Sequence, residues 1–343
     1  QYFALSTAPP LPTRASVRET AASAATRRTV ADTHQALLQS LGPADFAGVA
    51  QDSPLNANFS ASAGDTLFLF RRPLGLVASL NYSRNFRAFQ DSEVSRANLY
   101  REVEKSGRED KSNISTDYGA NLNLGYRLFD HLELGFNILL AHTTDEEAIH
   151  TTSDFLLNEP GTTLEQWQLH FTERAINNFQ FRGKLELPGL ADSQLDWVVN
   201  LADTFQNEPD HRFLNYFVDE TGNYTLGAAS LPVPSYPSRY FREITDDALN
   251  AKLDWKIPFW FAGRESSFKT GLFDSQANRD FREQYFSYAE STLFDVANPN
   301  AYLNNPAYLS YTPVWLGPVG TRIGTNYNFI RTINLAASRP YTA

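Results

Sequence analysis

Apolar and polar residues alternate along most of this chain with a period of two, the spacing of a strand with one apolar face. Leu132, Leu134, Phe136, Ile138 and Leu140 are separated by Glu133, Gly135 and Asn137. Just upstream, Tyr118, Ala120, Leu122, Leu124, Tyr126 and Leu128 alternate with glycine, asparagine and arginine. Only Phe129-Asp130-His131 lies between the two runs, which predicts a tight hairpin. The figure recurs. Phe179 to Leu187 turns over Pro188–Asp192 into Leu195–Leu201, and Leu249 to Ile257 turns over Pro258–Glu265 into Phe268–Leu272. An earlier copy joins Asn56–Phe68 to Leu74–Phe89 around Arg71-Arg72-Pro73. Leu164–Leu187 and Arg239–Ile257 hold no clear breaker, so their strands should be much longer than the ~5–6 residues of a globular protein.

Between hairpins the chain is polar, over Asp91–Lys111, Asp145–Thr163, Asn207–Ser238 and Ser291–Thr321. These read as connections of roughly 20–35 residues, against a usual median of ~4–6. Short turns alternating with long loops are the signature of an outer-membrane barrel, with periplasmic turns at one end and extracellular loops at the other. The pattern therefore predicts an all-β, antiparallel transmembrane β-barrel wall of about nine long strands. It occupies residues 56–343. Residues 1–55 do not follow the rhythm and are expected to be irregular and partly helical, with a short helix over Val30–Leu41.

Composition narrows the choice. Phe, Tyr and Trp make up 13% of the chain, yet no apolar run approaches the ~20 residues of a membrane helix. A wall with aromatic girdles and a wet interior has this character, as does a secreted soluble β-protein. The net charge of −10 argues against a nucleic-acid partner. Cysteine is absent, which excludes disulfides and thiolate metal sites.

Certain strings resemble the middle of the barrel of TonB-dependent outer-membrane receptors. They are Arg182–Leu190, Leu195-Asp196-Trp197 and Glu208-Pro209-Asp210, then Arg239–Arg242 with Asp246-Asp247, and Asp254–Phe259. Glu265–Gly271 and Arg279–Glu283 are similar too. The resemblance implies a barrel of about 22 strands around an N-terminal plug. It also implies active import of a scarce ligand, a siderophore–metal chelate or an oligosaccharide, driven by the TonB energy-transducing complex acting on that plug. Outer-membrane lipid would surround the wall. The chain shows no TonB box, no recognisable plug and no aromatic-terminated final strand, so it reads as an internal piece of such a receptor. A plug-less porin and a secreted carbohydrate-binding β-sheet protein are the competing readings.

No phosphate-binding glycine motif and no nucleophile elbow is present, and no enzyme activity, cofactor or metal is expected. The six histidines lack metal-ligand spacing. His142 and His150 flank Asp145-Glu146-Glu147 on one expected loop, where solvation is the simpler role. Asp246 and Asp247, as neighbours on a strand, should face opposite ways. Asp196, Asn200, Lys252, Asp254 and Lys269 are expected to line the wet interior, and Trp167, Trp197 and Trp255 to anchor the apolar face. The loop aromatics Tyr216, Phe217, Tyr224 and Tyr236 are the candidates for ligand contact, because binding residues concentrate on loops.

Overall fold

The computed structural model describes residues 45–157, 160–226 and 237–287, together with two short strands at 330–331 and 341–342. They form one antiparallel sheet without helices. The strands are β1 (Ala57–Leu69), β2 (Arg72–Ala97), β3 (Val103–Phe129), β4 (Leu132–Phe155), β5 (Thr163–Leu187), β6 (Ser193–Val218), β7 (Tyr224–Leu226), β8 (Ser238–Phe261), β9 (Arg264–Ser287), β10 (Ile330–Arg331) and β11 (Tyr341–Thr342). Nine follow one path, β1-β2-β3-β4-β5-β6-β8-β9-β10, while β7 pairs with β6 and β11 with β9. The path does not return to β1, so the sheet is open. No helix among the described residues is long and apolar enough to cross a membrane.

The unbroken runs do become long strands, 25 residues in β5 and 24 in β8. At one end the connections are as short as expected: residues 70–71, 130–131, 188–192 and 262–263. At the other end the expectation fails. The supposed loops Asp91–Lys111 and Asp145–Thr163 are mostly strand, since β2 runs to Ala97, β3 begins at Val103, β4 runs to Phe155 and β5 begins at Thr163. Asn207–Ser238 opens as strand, with β6 running to Val218 and β7 adding Tyr224–Leu226. Polarity misled here. A ladder of backbone hydrogen bonds continues wherever both strands continue, and it does not depend on an alternation of apolar side chains. Ser291–Thr321, Val30–Leu41 and Tyr236 lie outside the described residues.

Register sorts the side chains, because directly opposed residues share a face. One face carries rows that cross the sheet: Leu76, Leu124, Phe136, Phe181, Val199, Ala251, then Ala78, Leu122, Ile138, Phe179, Leu201, Leu249. Asp65 and Asp274 interrupt the first of these rows at β1 and β9. Above them stands a row of Phe59, Tyr82, Tyr118 and His142, and below them Tyr126, Leu134, Gly183 and Trp197. From Tyr118 to Tyr126 is nine residues of β3, close to the ~9–11 that a tilted strand needs to cross a bilayer.

The opposite face is polar at the same height. Asn123, Asn137, Gln180, Asn200, Asn250 and Ser275 form one row over six strands. Asp196, Asn200, Lys252, Asp254 and Lys269 all fall on this face, and Trp167, Trp197 and Trp255 all fall on the apolar one. Lower down, Gly75, Gly125 and Gly135 lie side by side across β2–β4 on the polar face. They help to line a hollow of about 710 Å³ together with Arg127, Arg182 and Asp196.

Candidate functional site

Beyond the apolar band the strands run on, and there the sheet gains its densest buried cluster. A β-bulge creates it. In the β6–β8 ladder Pro209 opposes Phe241 and His211 opposes Tyr240, so Asp210 has no ladder partner of its own. The β5–β6 ladder also breaks here, between Leu169 and Glu173. Proline cannot donate to a ladder and suits a bulge. Asp210 sits at φ 81°, a conformation aspartate tolerates better than most residues.

The bulge reverses the alternation of β6, and its polar side chains gather on both faces. On the apolar face's side, Asp210 and Arg239 are wholly buried. Arg239 donates to both carboxylate oxygens of Asp210, through Nη2 at 2.6 Å to Oδ2, and Arg212 donates to Oδ2 through Nε at 2.8 Å. Arg212 also reaches the backbone carbonyl of Asp45 at 2.8 Å, which ties residues 45–48 over Trp167 and Leu169. Phe46 there is fully buried.

On the polar face, His170 of β5 meets Glu208 and His211 of β6. The two imidazoles stack, with centroids 3.9 Å apart and planes 16° apart. His170 Nε2 lies 3.6 Å from Glu208 Oε2, and His211 Nδ1 lies 4.0 Å from the same oxygen. Gln206 donates to Glu208 Oε1 at 2.9 Å, and Arg242 to Oε2 at 3.2 Å. Arg242 also pairs with Glu283. His211 has Gln168 at its Nε2 (3.0 Å), and Thr172 lies 2.9 Å from His170 Nε2. Burial and the charge of His170 push the His211 imidazole down to about 3. Burial pushes the Glu208 carboxyl up, but the neighbouring His170, with Arg242 and Gln206, outweighs it and holds the group at about 2.

Neither a family model, nor a curated protein, nor a solved structure matches this chain. What the arrangement can do is therefore read from its own chemistry.

Of the candidates expected from the sequence, Tyr216 and Tyr224 share one face through the β6–β7 pairing, while Phe217 faces the other way. Tyr216 and Phe217 belong to strand β6, not to a loop, and as neighbours they face opposite ways. Both are 6% exposed, and burial raises the Tyr216 phenol to about 12. Tyr224 is in β7 and is exposed. His142 and His150 lie on β4, not on a loop, and each takes its own partner, Glu173 at 3.2 Å and Glu165 at 2.7 Å. Asp246 and Asp247 do face opposite ways, the first toward Arg279. The cluster of His170, Glu208 and His211 is invisible to a spacing rule because it forms across strands. Pro209 inside a strand pattern is the one local signal of the bulge behind it.

Proposed function

We propose that this chain is a wall segment of an outer-membrane β-barrel receptor of the TonB-dependent type, a transporter and not an enzyme. Its cargo would be a scarce solute, a siderophore–metal chelate or an oligosaccharide, and the TonB complex would drive uptake through a plug outside this chain. The observation that carries the membrane part is the contrast of the two faces at one height.

Leu80, Leu140, Phe179, Phe181, Val199, Leu201 and Leu253 are all exposed on the apolar face. Burying such a side chain fully is worth about 1.5–3 kcal/mol. Leaving this many half-covered forfeits on the order of 5–10 kcal/mol, comparable with the whole net stability of a domain. Water is the wrong neighbour for that face, and lipid is the right one. Directly behind it, the Oδ1 atoms of Asn137, Asn178 and Asn200 are buried without a hydrogen-bond partner. Each such atom costs about 1–3 kcal/mol unless water reaches it. A sheet with hydrocarbon on one side and enclosed water on the other satisfies both faces. The transport and TonB elements rest on the resemblance of sequence strings alone, from Arg182–Leu190 through Arg239–Arg242 and Asp254–Phe259 to Arg279–Glu283.

Two adjacent residues of β6 test the membrane part. Val199 faces the apolar side and Asn200 the polar side. Val199→Lys should abolish assembly into bilayers, since a mid-bilayer charge on the lipid face costs ~2–4 kcal/mol, and Leu134→Lys on β4, in the boundary row with Tyr126, should weaken it less. Asn200→Lys should assemble normally. Ordinary folding of Val199→Lys and Leu134→Lys in detergent-free buffer would refute the membrane assignment.

A further inference from the structure

We infer that His170, Glu208 and His211 form a binding site for a first-row divalent transition cation, of which Zn²⁺ is the representative. Their three donor atoms lie within 4.8 Å of one another. Donors held 2.0–2.2 Å from one tetrahedral ion stand roughly 3.3 Å apart, so modest torsional adjustment of the side chains brings all three onto it. The second observation is independent of that proximity. His211 is only 6% exposed, yet its Nδ1 has no hydrogen-bond partner. A buried imidazole nitrogen aimed at a carboxylate 4.0 Å away, too far for a hydrogen bond, is a donor position awaiting an acceptor of its lone pair.

The surroundings suit a ligand pair. The amide nitrogen of Gln168 lies 3.0 Å from Nε2 of His211; a half-turn of that carboxamide brings its oxygen there to accept Nε2–H and leaves Nδ1 free to coordinate. Arg242 shares Glu208 Oε2 but also donates to Glu283, so it keeps a carboxylate when an ion claims Glu208. Two imidazoles and one carboxylate are the wrong set for Ca²⁺ or Mg²⁺, which require oxygen ligands, and the right set for Zn²⁺ and its neighbours. Three protein ligands leave a coordination position for water or a cargo atom, the arrangement of an exchangeable ion. The residues meet through strand register, so the site stands whether or not the lower sheet meets lipid.

The test is equilibrium dialysis of the full chain in detergent against Zn²⁺, with Co²⁺ absorption as a report of coordination. The wild type should take up one Zn²⁺ that His170→Gln, Glu208→Gln and His211→Gln each weaken at least about a hundredfold, since even changes to the residues that support a ligand cost about 10–100-fold. Co²⁺ should give the intense visible bands of a tetrahedral ion, and the three variants should lose them. His142→Gln and His150→Gln, which remove the histidine–glutamate pairs of the other face, should change neither readout. Equal affinity in wild type and the His211 variant, or only the faint spectrum of hydrated Co²⁺, overturns the site. Glu208→Gln is read only if it folds, and the two histidine variants decide without it. Val199→Lys that folds in buffer and still binds Zn²⁺ would end the transporter reading and leave this one intact.

Discussion

Asp210 combines three costs in one residue: a positive φ, a bulge that interrupts the ladder, and a carboxylate with no exposure. What offsets them is the pair of guanidiniums from Arg212 and Arg239, which would otherwise be buried cations near Phe241 and Leu214. A buried ion pair is weak evidence of net stabilisation, but breaking one by removing a partner costs about 3–5 kcal/mol. Asp210→Asn isolates the charge, because asparagine tolerates positive φ as well as aspartate does. It should lower stability by about 3 kcal/mol, measured as the temperature at which the compact form disappears from detergent gels. Asp210→Gly relaxes the backbone as well and should do no better. Little of this was legible beforehand. Glu208-Pro209-Asp210 stood out as a string, but apart from Arg212 in the same strand its charges are answered from other strands. Arg239 of β8 meets Asp210, and His170 of β5 meets Glu208. No spacing along the chain announces either pairing.

At the scale of the element, hairpins were legible and their far ends were not. Period-two alternation fixes which residues share a face, and a break in it, at Asp130-His131 or at Pro188-Gly189, marks where the chain reverses, so β3–β4 and β5–β6 could be placed to within a few residues. The polar upper halves carry no such contrast between faces, and only the ladder itself distinguishes them from loops. The turns keep a trace of strain. Phe70 and Arg71 sit at φ 51° and 63°, both central residues of a two-residue hairpin of type I′. Left-handed backbone costs a residue with a Cβ roughly 1–2 kcal/mol, and Asn-Gly is the pair that fits this turn. Phe70 is 86% exposed, so its ring contributes little packing among the described residues. The double change Phe70→Asn, Arg71→Gly should therefore stabilise the β1–β2 hairpin by on the order of 1 kcal/mol, seen as slower amide exchange in Leu67–Leu69 and Arg72–Leu74. Faster exchange would mean that the aromatic ring, and not the backbone, holds this turn.

For the molecule as a whole, strand length is the quantity that separates a membrane wall from any other sheet. β4 has 24 residues, about 80 Å of extended chain, whereas crossing a bilayer takes only ~9–11 residues of a tilted strand. In the proposed membrane wall, one face of one strand would then meet two environments in succession. On β4 that face presents Leu134, Phe136, Ile138 and Leu140, then His142, Thr144 and Glu146. Backbone pairing to β3 and β5 continues through all of them, so the ladder cannot explain any difference between the two stretches. Lysine placed at each of these positions in turn should therefore yield a profile and not a constant. Phe136→Lys and Ile138→Lys, at mid-height, should cost about 2–4 kcal/mol and block assembly into bilayers, falling to about 0–1 kcal/mol near the boundary. Thr144→Lys, on the same face one step above His142, should assemble as the parent does, since it faces water and gains Glu173 as a cross-strand partner. Were the apolar rows instead covered by another protein layer, the penalty would follow packing at each position and would not fall away with distance along the strand. Bilayer assembly measured across this series therefore distinguishes lipid from protein as the neighbour of the apolar face.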